Sequence, residues 1–176
     1  LGAAALCTLL DEIAAALAAL HLRGAHGLAE SAASASLTWM SLGSLVGATA
    51  ADRWLPRLPW RAVLSGSCML ALAALALFLL SPGPALACAA LMLLGAAAAP
   101  HYALTKARAY EALPERPGLV NAAAQVFVVL DILAPPALGF IADRLGTASA
   151  IAMLAAQPLG LLSLAILSRG RSPLRP

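Results

Sequence analysis

Apolar residues fill this chain in runs of about twenty, and each run ends in a short cluster of Gly, Pro or charge. A helix that crosses the hydrocarbon core of a bilayer needs ~20 mostly apolar residues. A soluble helix buries one stripe and leaves the other face polar. The whole chain is 62% hydrophobic and 11% charged, with a mean hydropathy of +0.89. A soluble domain is nearer 45–50% apolar and about a quarter charged. The pattern predicts an all-α membrane protein.

Six such runs are expected as transmembrane helices: about 2–22, 29–51, 60–80, 85–105, 119–142 and 147–168. Between them lie His21 to Gly27, the charged corner Asp52 to Pro59, the turn Ser81-Pro82-Gly83-Pro84, the charged stretch Lys106 to Gly118, and Asp143 to Gly146. Residues 169–176 form a basic tail. The connections fall alternately on two sides. Arg53, Arg57, Arg61, Lys106, Arg108, Arg116, Arg169, Arg171 and Arg175 fall on one side, nine of the 11 basic residues; Arg23 and Arg144 fall on the other. The positive-inside rule makes the nine-residue side cytoplasmic. A multi-pass protein of the cell (inner) membrane is expected, with both ends of this segment cytoplasmic. Trp54, Trp60, Tyr102 and Tyr110 lie near the cytoplasmic ends, as an aromatic belt would.

The same charge bias excludes other classes. The net charge of +3 is explained by topology, so no nucleic-acid partner is expected. Cys7, Cys68 and Cys88 all lie in apolar runs. An odd number there argues against a disulfide framework and against a metal site, and no cofactor is expected. The first run has no basic leader and no fitting cleavage site, so it does not read as a signal peptide. It opens at Leu1 already inside an apolar run, which reads as a truncated start.

Ala51-Asp52-Arg53 and Ala142-Asp143-Arg144 each close a long apolar run, 143 − 52 = 91 positions apart. Repeats at such a period set the whole architecture. The reading is a single six-helix bundle over 1–176, with repeat one at about 1–84, repeat two at about 85–168 and the tail at 169–176. Three helices per repeat turn the second repeat upside down relative to the first.

Inverted three-helix repeats inside six-helix halves build the major facilitator transporters. The chain resembles one six-helix half of that superfamily over essentially its whole length. The family's loop signature, G-x-L-A-D-R-x-G-R-R/K, is met by Asp52, Arg53 and Arg57. Gly47 stands one place early, Leu55 replaces a Gly and Pro56 a basic residue. Gly139, Asp143, Arg144 and Gly146 match G-x-x-x-D-R-x-G in the second corner. Pro136-Ala137-Leu138-Gly139 is similar to the antiporter signature, but Pro135 and Phe140 replace two of its glycines, so antiport does not follow. The resemblance implies secondary transport of a small organic solute by alternating access. It implies that Asp52, Arg53, Arg57, Gly139, Asp143, Arg144 and Gly146 belong to gating corners. It also implies a missing six-helix half as partner, this chain looking more like the C-terminal one, and that the first, second, fourth and fifth helices of a half line the pathway.

The residues offer their own pathway candidates. Asp11 and Glu12 fall mid-span, where a carboxylate costs about 2.5–3.5 kcal/mol unless it faces a cavity or a partner. Asp11 shares a small, polar face with Thr8 and Ala15, opposite Leu6, Leu9, Leu10, Ile13, Leu17 and Leu20. Glu12 lies on its flank. Asn121, Gln125 and Asp131 share one side of the fifth segment. Each has a plainer role in interhelical hydrogen bonding. Protons are a candidate coupling ion, with Asp11 as carrier and Asp131 as fallback. Ser31, Ser34, Thr38 and Ser41, followed by Gly43-x-x-x-Gly47, read as a packing face. Two rivals remain: a stand-alone six-helix homodimer and an intramembrane enzyme. A rhomboid-type protease needs an embedded Ser near an accessible His, and no His is expected mid-helix, so the chain is not expected to be an enzyme.

Overall fold

A computed structural model describes residues 13–126 and 128–167. The described residues fold into eight helices with no strand among them: α1 Ala14–His26, α2 Glu30–Trp54, α3 Trp60–Leu79, α4 Pro84–Ala112, α5 Pro117–Val126, α6 Val128–Leu145, α7 Thr147–Met153 and α8 Ala156–Leu167. The boundaries have local causes. Gly27 ends α1 at φ +64°, a conformation other residues rarely adopt, and its N–H bonds back to Arg23 and Leu22. Pro59 precedes α3, and Pro84 occupies the first turn of α4, where its missing N–H costs nothing.

Three helical stretches are long and apolar enough to cross a membrane: Trp60–Leu79, Pro84–Ala112 and Thr147–Leu167. This is fewer than the six expected. The first expected span begins outside the described residues. The second, α2, is 25 residues long, but hydroxyl residues from Ser31 to Thr49, with Glu30, Asp52 and Arg53, dilute its apolarity.

Three boundaries depart from expectation. Helix α4 runs to Ala112 rather than ending near residue 105, so Lys106, Arg108 and Glu111 ride on its last turns. The connection to α5 shrinks to residues 113–116. The expected sixth span is interrupted at residues 154–155, between α7 and α8. Pro158 explains the break: it offers no N–H to the carbonyl of Leu154, four residues earlier, and its ring crowds that carbonyl. By contrast, α4 continues through Pro100, and α6 through Pro135 and Pro136.

Helix α4 is the centre of the bundle, flanked by α2 and α3; α1 lies on α2 and α7, and α8 lies on α3. The contact between α2 and α4 is backbone to backbone. A Cβ on Gly43 would stand 1.9 Å from the Met92 carbonyl oxygen, and one on Gly95 2.0 Å from that of Met40. The Ser44 hydroxyl donates to the Gly95 carbonyl across the same seam, at 3.3 Å. The glycines of the expected packing face therefore pack, whereas Ser31, Ser34, Thr38 and Ser41 stay exposed. The main core joins Leu17 and Leu22 of α1, Met40 of α2, Phe78 of α3, Leu91 and Leu94 of α4 and Ile151 of α7. A smaller core joins Leu64 and Cys68 of α3, Leu104 of α4 and Leu161 and Ala165 of α8.

Candidate functional site

The largest of the bundle's cavities described here, about 650 Å³, lies between α1, α2 and α4. Ala15 contributes from α1, Met40, Ser41, Ser44 and Ala48 from α2, and Ala99 from α4. Alanines line it at Ala15, Ala48 and Ala99, because small side chains bring the helices close without filling the space between them. Ser41 and Ser44 supply the polar atoms. Ser41 donates back to Leu37 O at 3.4 Å, and Ser44 shares its one proton between Met40 O of its own helix, at 3.2 Å, and Gly95 O. Both oxygens keep lone pairs for a ligand.

On α1, the buried side comprises Ile13, Ala14, Leu17, Ala18, His21 and Leu22. It mixes the two faces read from the sequence, and Leu20 points outward. Ala15, from the small face, reaches the cavity. Thr8, Asp11 and Glu12 lie outside the described residues. Asp131 is in the first turn of α6. Asn121 is exposed on α5 and accepts a 2.6 Å hydrogen bond from the Tyr110 hydroxyl, tying α5 to the end of α4. Gln125 is exposed one turn further along. Neither lines the cavity.

The two Asp-Arg corners occupy opposite ends of α3. Asp52 and Arg53 close α2, Arg57 lies in the turn to α3, and all three are exposed. Trp60 starts α3 there, with the Arg108 guanidinium 4.6 Å above its ring. At the far end, Ser81 meets His26 at 3.3 Å, and Phe78 packs on His21 with ring centroids 5.4 Å apart. His21 Nδ1 in turn lies 3.2 Å from the hydroxyl of Thr147, the residue after Gly146. Asp143 and Arg144 are exposed in the last turn of α6, and Arg144 stacks 4.9 Å over Phe140. Gly139 is half-buried, and Gly146 turns the chain at φ +87°. Arg23 joins Arg144 at this end and pairs with Glu30 at 3.8 Å.

Sequence reading underrated His101. It is fully buried in α4, with Nε2 3.7 Å from Cys68 Sγ, and its Nδ1 finds no hydrogen-bond partner. The helix continues 11 residues past it to Ala112, so a His does lie mid-helix. What hid it was the expected end of that span near residue 105, which placed His101 close to a helix terminus. A Cys-His couple can make a nucleophile, but reactive cysteines sit in partly exposed, electropositive surroundings. Cys68 and His101 are both 0% exposed, and leucines surround Cys68. The couple is closed to a substrate, and His101 is partnered by a thiol rather than by the serine a rhomboid-type protease uses.

Among the described residues no group of three or more His, Cys, Asp or Glu could hold a metal ion. In comparisons with known proteins, no family, no curated protein and no solved structure matches the chain.

Proposed function

We propose that this chain is one six-helix half of a major-facilitator-type secondary transporter, built from two inverted three-helix repeats and moving a small organic solute by alternating access. The observation that carries the reading is the placement of the two Asp-Arg corners at opposite ends of α3. That is what an inverted repeat requires of a duplicated loop. The basic residues follow: Arg53, Arg57, Arg61, Lys106, Arg108 and Arg116 accompany the first corner, Arg23 and Arg144 the second.

In this reading the cavity between α1, α2 and α4 is half of the pathway. Asp11 precedes Ala15 by one helical turn in sequence and serves as the proton carrier, with Asp131 as fallback. Exposed Ile132, Leu133 and Phe140 on α6 are then covered by the missing half. A second copy of the chain is the alternative cover, and it would make the protein a homodimer.

The test uses Ser41→Cys in the full-length protein lacking Cys7, Cys68 and Cys88. Alternating access exposes that position to each side in turn, so a membrane-impermeant maleimide should label it from either side of sealed vesicles. Labelling from one side only would overturn the reading. Cross-linking through Ile132→Cys separates the covers: a product between two copies of the chain indicates the homodimer.

A further inference from the structure

We propose that the basic end of the bundle holds an anionic glycerophospholipid, its phosphate on Arg108 and one acyl chain in the cavity between α3, α4 and α8. This cavity has a volume of about 300 Å³, separate from the one between α1, α2 and α4. Its walls are mostly apolar: Leu64, Ala109, Leu113, Leu161 and Leu164 with the indole of Trp60, beside Thr105. Arg108 is the one charged residue that lines it. The Arg108 guanidinium stands 4.6 Å from the Trp60 ring, and the Arg61 guanidinium stands 5.4 Å from the same ring. Lys106 lies two residues from Arg108, over Tyr102. Two guanidinium groups thus share the Trp60 ring at the rim, Lys106 lying toward another face of α4, and Glu111, paired with Arg108, is a carboxylate beside them.

A greasy slot with a positive rim selects an amphiphile with an anionic head. Arg offers phosphate two parallel N–H···O bonds. The Arg108–Glu111 pair is exposed on both sides, and such pairs contribute little, so a phosphate can displace the carboxylate. Trp at the head-group level suits the same depth, and basic pockets between helices bind anionic lipid heads. The other candidate occupants fit less well. The chain after Leu167 brings Arg169, Arg171 and Arg175, which the rim repels. The groove of about 450 Å³ between α2, α3 and α4 is lined by Trp54, Leu58 and Leu70 but by no charged residue, so it offers no seat for a head group. The proposal needs only that the bundle sits in a bilayer, and it stands whether or not the chain transports.

The experiment is native mass spectrometry of the purified full-length protein with phosphatidylglycerol, phosphatidylcholine or soluble glycerol phosphate at equal concentration. Phosphatidylglycerol should be retained preferentially, and glycerol phosphate should not bind. Arg108→Gln should weaken retention about fivefold, the effect of about one basic residue at an anionic surface. Ala109→Phe, which fills the slot, should weaken it with every charge intact. Arg144→Gln, an arginine over an aromatic ring at the opposite end, should leave it unchanged. Equal retention of the two lipids, binding of glycerol phosphate alone, or equal loss in the Arg108 and Arg144 variants would overturn the proposal.

Discussion

A Cβ on Gly47 would stand 2.1 Å from the carbonyl oxygen of Ala96. That carbonyl is the one Pro100, four residues on, cannot serve with an N–H. Gly47 gives it room, and a glycine Cα–H is a weak donor to such an oxygen. The proline in α4 and the glycine in α2 therefore belong to one contact. This is how α4 passes Pro100 without breaking, while the α7–α8 stretch breaks ahead of Pro158.

Gly47→Ala forces backbone against backbone and should destabilise the bundle by at least about 1–3 kcal/mol, as should Gly43→Ala and Gly95→Ala. Gly66 of α3 has nothing within 4 Å of its missing Cβ, so Gly66→Ala should stabilise by about 0.5–1 kcal/mol. Thermal unfolding in detergent checks both. An unchanged melting temperature for Gly47→Ala would contradict the close contact.

The link between His21 and Thr147 joins α1 to the start of α7. Interhelical hydrogen bonds in membranes average ~0.6 kcal/mol. Thr147→Val should lose about that much, and His21→Phe with Thr147→Val should lose less than the sum of the single changes. Strict additivity in this double-mutant cycle would show that the two side chains do not interact.

Topology is checked at Arg57 and Glu115, both exposed at the basic end. Single cysteines there, in a Cys-free full-length protein, should resist an impermeant thiol reagent applied to intact cells. A cysteine at Pro82, in the α3–α4 turn, should react. The reverse pattern would invert the orientation.

The proposed gating role of Asp52 and Arg53 makes a kinetic prediction. Among the described residues Asp52 and Arg53 form no ion pair, so contacts that hold the proposed gate would come from the proposed second half or from another state. A contact biases an equilibrium only if one state lacks it. Asp52→Asn should therefore slow transport more than it weakens binding. Unchanged transport at normal expression would refute the gate.

The proposed proton coupling is tested at Asp11. Asp11→Asn should abolish pH-driven accumulation in proteoliposomes while leaving exchange partly intact, and Glu12→Gln should do less. Accumulation at the wild-type level in Asp11→Asn would return the role to Asp131 or remove it.

Composition and Gly-Pro punctuation made the helices legible, since runs of Ala and Leu between turn residues admit little else. The tight α2–α4 seam was legible in Gly43-x-x-x-Gly47. The partner glycine, Gly95, was not, because nothing local marks which carbonyl a glycine will meet. The reach of α4 past residue 105 was not legible, because the glycine that relieves Pro100 belongs to another helix, and the expected span 147–168 carried no break where the chain turns ahead of Pro158. The cavity was half visible. Ser41 appeared as part of a hydroxyl stripe, but hydroxyl periodicity marks a polar face without saying what the face meets. Asn121 appeared as a pathway residue, but its bond to Tyr110 depends on how far α4 extends.

The glycine seam also bears on how the chain enters a membrane. Helix α2 is not among the stretches apolar enough to cross a bilayer unaided, and its closest fit is to α4. Gly47 and Ala96 are 96 − 47 = 49 residues apart. A ribosome adding about 5–20 residues per second needs about 2–10 s to cover that interval. For that time α2 has left the ribosome without the surface that its glycine face packs on. An insertion machinery that released helices singly would lose it to the aqueous side. One that holds the nascent hairpins together until α4 emerges would deliver them as a unit.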